Sequence, residues 1–342
     1  MRMRRQLLGV VMAGLAGVAV GVAGMGSAAP STAAAPAAAP GAAPAARPAA
    51  GPASQTTLRV GHLPIAAQLD VLVARDRGWF TEEGLNVDLT AMAGGAEILP
   101  ALIGGSLDVG TLNVVTHILS QDQGFHSKAV AGVFVQRRGD PVHGILVRAD
   151  SPIQSARDLE GKTMATNTLN NIDHIMQQVW VRQKGGDPTR VSFVEVPFPQ
   201  QPAALAQGRV DAIGPSEPFV TIAQSQGARL LANHYTDVNE TTLLAYYGAT
   251  DDWLARNADL AQRFYRATQR TNDFLFSDKQ NIQAAAVQYL SMAPDLAARV
   301  GYGENQPRLD PAGIQWWIDT VRSFGLINSQ LNPQDFIYET VR

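Results

Sequence analysis

Residues 101–109 read Ala101-Leu102-Ile103-Gly104-Gly105-Ser106-Leu107-Asp108-Val109, and residues 204–212 read Ala204-Leu205-Ala206-Gln207-Gly208-Arg209-Val210-Asp211-Ala212. Both follow the form A-L-x-x-G-x-[LV]-D. Ala and Leu suit the last turn of a helix, and glycine takes the left-handed residue that ends it. An aliphatic residue and an Asp then begin a strand, the Asp placed to bond nearby backbone amides. The same punctuation runs upstream of each copy. In the first, Leu58-Arg59-Val60-Gly61 reads as a strand, followed by a loop at His62–Ile65 and a helix from Leu69 to Arg77. Gly84 breaks that helix, Asn86–Thr90 is the second strand, Gly94-Gly95-Ala96 opens a second helix, and Leu107–Thr111 is the third strand. In the second copy, the strand Thr163–Ala165 leads through a polar loop to a helix over Ile172–Gln183. A strand over Val191–Val196, a helix ending at Gly208 and a strand over Val210–Ile213 follow. The order β-α-β-α-β, met twice, predicts an α/β chain of two lobes, each a mostly parallel sheet flanked by helices.

The remainder reads as helical. Trp253, Leu254, Leu260, Phe264 and Phe274 fall at helical spacing between Thr250 and Phe276. Asp310-Pro311 forms an N-cap with proline at the first helical position, and Ile314, Trp317, Ile318 and Val321 share one face. Helices placed after two such lobes suit a chain that returns to brace the first.

Composition narrows the function classes. Of 342 residues 46% are hydrophobic, enough for a large core, and none is cysteine. That excludes a disulfide scaffold, a thiolate nucleophile, a Cys-ligated zinc site, an iron–sulfur cluster and a lipid-bearing cysteine. The first 53 residues hold four arginines and no acid, so the other 23 basic and 30 acidic side chains leave the body at −7. An acidic body without a cationic stripe is a poor binder of nucleic acid.

Residues 1–29 have the layout of an export signal: a basic start at Met1–Arg5, an uncharged run over Leu7–Gly26, and small residues at Gly26–Ala29. Arg4-Arg5 followed by Gln6-Leu7-Leu8 resembles a twin-arginine signal, and an uncleaved anchor is the alternative. From Pro30 to Ala53, 19 of 24 residues are Ala or Pro, so residues 30–56 read as a semi-extended linker.

The body resembles the periplasmic solute-binding proteins of ABC importers, within them the nitrate, sulfonate and taurine and thiamine-precursor-binding group. The matching residues are Val73-Ala74-Arg75-Asp76-Arg77-Gly78-Trp79-Phe80-Thr81-Glu82-Glu83-Gly84-Leu85, the two A-L-x-x-G-x-[LV]-D stretches, Leu159-Glu160-Gly161-Lys162-Thr163 and Glu217-Pro218-Phe219. In that group an aromatic residue often precedes E-P-F, whereas Pro215-Ser216 stand here. The resemblance implies a type II clamshell, with lobe one at 57–146 and 242–342, lobe two at 147–241, and a hinge of two strands. The crossings are expected near Gly144–Arg148 and His234–Tyr247. It also implies a small-molecule ligand, a membrane permease with its ATPase as partners, an extracytoplasmic location, no cofactor and no catalysis. A monomer is expected.

Ligands between α/β lobes lie at the carboxyl ends of the strands. The candidates are therefore Leu63 and Pro64 after the first strand, and Gly94, Gly95 and Ala96, whose backbone amides would attract an anion. Thr111 and Asn113 at the end of the third strand, Gln136 and Arg137, and Thr166, Asn167 and Thr168 follow. Phe198 and Glu217 complete the set. An arginine at 137 would grip an oxyanion; Glu217 would suit an amine, amide or hydroxyl, or serve only as a buried anchor. Tyr246-Tyr247 either cap the cleft or pack. His117, His126, His143 and His174 show no metal-ligand spacing, and no metal is expected. No G-x-S-x-G, H-E-x-x-H or G-x-G-x-x-G occurs, and Ala156 breaks a phosphate-loop pattern ending at Gly161-Lys162-Thr163. The ligand expected is a small organic anion or zwitterion of the alkanesulfonate, taurine or nitrate class. A neutral pyrimidine or aromatic compound is the alternative, and a tethered sensor domain the alternative of another class.

Overall fold

In the computed structural model, which describes residues 55–342, each β-α-β-α-β run builds three strands of a mixed sheet. The expected export signal, and the expected linker except for Gln55 and Thr56, lie outside the described residues. The first run contributes β1 (Thr56–His62), β2 (Leu85–Ala91) and β3 (Val109–Asn113), and the chain continues into β4 (Ser127–Arg137). The second sheet holds β5 (Ile145–Arg148), β6 (Thr163–Thr166), β7 (Ser192–Glu195), β8 (Ala212–Ile213) and β9 (Ala228–Ala232). The chain then returns to the first sheet as β10 (Thr241–Thr250) and β11 (Glu304–Gln306). The strand orders are β2-β1-β3-β10-β4-β11 and β7-β6-β8-β5-β9.

Within each run the strands pair parallel, β1 with β2 and β3, and β6 with β7 and β8. The strands that arrive from the other sheet, β10 beside β3 and β5 beside β8, run antiparallel. The sheets are thus more mixed than the repeat alone suggests. Helical crossovers enforce parallel pairing only inside a run, and a strand entering from elsewhere carries no such constraint.

The repeated Asp has the same task in both copies. Asp108 accepts from the Arg59 backbone N–H (2.8 Å) and also pairs with its guanidinium (2.9 and 2.7 Å). Asp211 accepts from the Thr163 N–H (2.9 Å). Each carboxylate joins the start of a run's third strand to its first.

The second sheet is covered on both faces. Alternate residues of β5 point to opposite sides: Ile145 and Val147 pack with Met164 and Trp180, while Leu146 packs with Ala165, Ile213 and Leu205. The C-terminal helices brace the first sheet. Helix Asp251–Ser277 stacks Phe264 on Phe80 (5.5 Å between ring centroids). Helix Pro311–Ser323 buries Trp317, whose indole N–H donates to the Leu243 carbonyl (2.8 Å).

The chain crosses between sheets at residues 138–144 and 233–240. The Arg138 N–H donates to the Glu240 carbonyl (2.8 Å), so the two crossings run side by side. The first crossing ends at Gly144, the residue at which the expected Gly144–Arg148 begins. Ile145-Leu146-Val147 is apolar at successive positions, which suits a strand covered on both faces, and the chain uses it inside the second sheet. Of the second expected stretch, Tyr246 and Tyr247 are fully buried in β10. The Tyr247 hydroxyl donates to Asp70 (2.8 Å) and Tyr246 bonds His117 (2.7 Å), so both pack rather than cap a cleft.

Candidate functional site

The order β2-β1-β3, repeated as β7-β6-β8, places a topological switch point in each sheet, and both switch points open onto one cavity. Leu63 follows β1, Asn113 ends β3, Asn167 follows β6 and Ser216 follows β8; all four line the cavity, whose volume is about 60 Å³. That is room for a compact ligand or a few waters. The apolar part of the wall comes from Leu63, Ile65, Phe134, Ile172, Phe198 and Leu244.

Gln68 organises the side of the first sheet. Its Oε1 accepts from the Leu63 N–H and the Thr111 hydroxyl, both at 2.8 Å. Asn113 is committed to the helix Val114–Asp122: its Oδ1 accepts from the Thr116 N–H (2.9 Å) and its Nδ2 donates to the Thr116 hydroxyl (2.8 Å). From the first crossing, His143 stacks on Tyr235 (4.4 Å between centroids) and bonds Gln136 Oε1 through Nδ1 (2.9 Å). That contact occupies Nδ1 and leaves Nε2 open. Burial pushes the His143 pKa down to about 3, keeping the ring neutral.

The second sheet's contribution centres on Asp173, in the first turn of the helix Ile172–Gln183 that Asn171 caps. Its Oδ2 accepts from the Thr166 hydroxyl (3.2 Å), the Asn167 N–H (3.4 Å) and Gln177 Nε2 (3.2 Å). Its Oδ1 has no hydrogen-bond partner; the nearest cation-capable atom is His234 Nε2 at 3.7 Å. The side chain is fully buried, and desolvation raises its pKa to about 7.

The remaining candidates separate. Leu63, Thr111, Asn113, Asn167 and Phe198 line the cavity; Leu63, Pro64 and Phe198 line an adjoining one of about 180 Å³. Gly94 faces the second sheet so closely that a Cβ there would stand 2.9 Å from Asn167 Nδ2 and 3.3 Å from Thr168 Oγ1. Gly95 and Ala96 form the first turn of the helix Gly95–Ile103, whose N-terminal side already holds a carboxylate: Glu97 accepts from the Ala93 N–H (3.0 Å). Thr166 and Gln136 stand behind the wall, holding Asp173 and His143.

Arg137 and Glu217 are not brought to the cavity. Arg137 pairs with Glu304 and lines a groove beside Trp316. Glu217 accepts from the Thr221 N–H (3.0 Å) and hydroxyl (2.8 Å). Its own backbone ties the Val142 carbonyl (2.7 Å) to the Ala66 N–H (3.1 Å). It is the buried anchor among its two readings, its pKa raised by desolvation to about 7. Sequence reasoning missed Gln68, His143, Asp173 and Ser216. An acid in a helix's first turn complements the helix dipole whether or not it meets a ligand, and the spacing of His143 speaks only to metal binding. The Pro215-Ser216 departure was the one visible signal.

Among the described residues, no helix is long and apolar enough to cross a membrane. The NMT1/THI5-like family matches residues 67–282. A putative ABC transporter periplasmic binding protein of Brachyspira hyodysenteriae is 26% identical over 189 residues, 52% of this chain and 54% of the relative. A putative aliphatic sulfonates-binding protein of Escherichia coli is 27% identical over 168 residues, 49% of this chain and 51% of the relative. The chain thus spans about half the length of the curated relatives it matches. Among solved structures, the alkanesulfonate-binding protein SsuA of Xanthomonas axonopodis pv. citri, bound to MOPS, superposes with a TM-score of 0.71 at 20% identity. That match covers 85% of this chain and 99% of SsuA, and it shows a shared fold. With the family match covering well over half its length, the chain belongs to the NMT1/THI5-like family.

Proposed function

We propose that this protein is the extracytoplasmic substrate-binding component of an ABC importer, and that it performs no covalent chemistry. The observation that carries the reading is the cavity walled by the carboxyl ends of β1 and β3 from one sheet and of β6 and β8 from the other. A ligand there touches both sheets at once. Only the closed arrangement supplies both sets of contacts, so binding favours closure by its difference in affinity for the two forms. The paired crossings at 138–144 and 233–240 are the hinge, with lobe one formed by 57–146 and 242–342 and lobe two by 147–241 but for the few residues nearest the crossings. The closed form docks as a monomer on a membrane permease and its ATPase. The relatives named for periplasmic and sulfonate binding support this role.

The test is a calorimetric screen of the full-length chain against compact sulfonates, carboxylates, amines, amidines and heterocycles, with small-angle scattering on each binder. One class should bind saturably, one molecule per chain, and shrink the radius of gyration. Conversion of a bound compound to product by this chain alone would contradict the reading.

A further inference from the structure

The cavity wall is rich in acceptors and holds no lysine or arginine. Asp173 Oδ1 and Asn167 Oδ1 are buried without a donor, and the Ser216 hydroxyl, also buried, lacks a partner. His143 lends only Nε2 to the cavity, because Nδ1 is spent on Gln136. Each of these residues lines the cavity. Buried polar atoms are rarely left unpaired, and a buried carboxylate with an open oxygen is costly unless a partner arrives. Two helix starts on the cavity wall have acceptors of their own: Asn113 before Val114–Asp122, and Asn171 with Asp173 at Ile172–Gln183. The backbone donors at those two helix starts are thus already opposed by amide or carboxylate oxygen, and the candidate arginine at 137 lies elsewhere.

We propose that the cavity takes a compact organic cation bearing several N–H donors, an amidine or an amine, with its charge held against Asp173 Oδ1 and its other N–H groups shared among Asn167, Ser216 and His143. The inference deepens the reading of the cavity as the ligand site of a binding protein and names its ligand class. Phe198 and Phe134 supply aromatic surface of the kind that accompanies cations in such sites.

Asp173 is faced by His143 from the first crossing, by His234 and Tyr235 from the helix His234–Val238, and by Thr166 and Gln177 from the second sheet and its own helix. His143 and His234 are held neutral, both with pKa values pushed down to about 3 by burial, and Tyr235 stays protonated. Asp173 is therefore the group in this cluster that titrates near neutrality. A cation binds its ionised form, so binding at pH 7 releases about half a proton per ligand, and affinity rises roughly fiftyfold from pH 5 to 7, more steeply in the first unit than in the second.

The experiment uses the full-length chain and three nearly isosteric probes: acetamidinium, acetamide and acetate, with methanesulfonate as a second anion. Calorimetry in buffers of different ionisation enthalpy reads affinity and proton release together. Acetamidinium should bind most tightly, release protons and gain affinity as pH rises. Asp173→Asn should weaken it by about thirtyfold or more and flatten the pH profile. If Asp173→Asn does not fold, the wild-type pH profile and proton release decide alone. Tighter binding of acetate or methanesulfonate, binding of acetamidinium without pH dependence, or no saturable binding of acetamidinium would each overturn the inference. Scattering keeps the two readings apart. Closure by an anion would leave the importer reading standing without this ligand class, whereas acetamidinium bound without closure would do the reverse.

Discussion

Glu217 shows how the same residue reads differently before and after folding. The sequence allowed a ligand contact or an anchor, and the chain uses it to tie the first crossing to the loop after β1. Its carboxyl sits in a desolvated place, so its pKa rises from the ordinary 4.5 to about 7. Below pH 4.5 both folded and unfolded forms hold the proton. Between 4.5 and 7 only the folded form keeps it, so this residue's contribution to stability is lost as pH rises through that window. Glu217→Gln keeps the Thr221 bonds and removes the ionisation. Its stability relative to wild type should therefore grow by about 3 kcal/mol between pH 4.5 and 7.5, read by denaturant unfolding at each pH. A constant difference would mean that folding leaves the Glu217 pKa unshifted. Gly94 belongs at the same scale. Its φ of 169° is extended backbone open to any residue, so its value lies in close approach rather than in conformation. Gly94→Ala should leave the melting temperature within a degree or two while weakening ligand binding by about tenfold, since the new Cβ meets Asn167 and Thr168 as the sheets come together.

At the scale of elements, glycine stops and helix caps made most of the fold legible. The helix Ile172–Gln183 is legible to the residue, because a polar loop ending at Asn171 and a double glycine mark its ends. Asp310 and Pro311 did the same for Pro311–Ser323, where the Asp310 carboxylate accepts from the Ala312 N–H (2.9 Å). Removing that cap in Asp310→Ala should cost about 1 kcal/mol, measured by thermal unfolding. The direction of β5 and β10 was not legible, because no local signal records which sheet a returning strand joins. The site was legible in its loops and not in its side chains. Strand ends locate a cavity, as Leu63, Asn113 and Asn167 show, but whether an amide is spent on a cap, as in Asn113, depends on geometry that spacing does not encode. Arg137 illustrates the limit: it ends a strand, yet alternation along β4 sends it to Glu304, while its neighbour Gln136 turns inward to His143.

For the whole molecule, two copies of one sentence build two sheets, and the cavity exists only where their switch points meet. Trp317 and the helix carrying it brace the first sheet without touching the cavity. Trp317→Ala should lower stability by about 3–5 kcal/mol while leaving the affinity of the surviving folded protein nearly unchanged, read by unfolding and calorimetry on the same sample. The account stands or falls on closure. Because the chain has no cysteine, Ile103→Cys and Leu169→Cys, both at exposed positions, give two unique labelling points associated with the first and second sheets. The decisive measurement is the distance distribution between spin labels at these two positions, recorded with and without the compound that binds in the calorimetric screen. A single, shorter and narrower distribution at saturation is the predicted result. A distribution unchanged by a bound ligand would contradict a cavity that works by drawing the two sheets together.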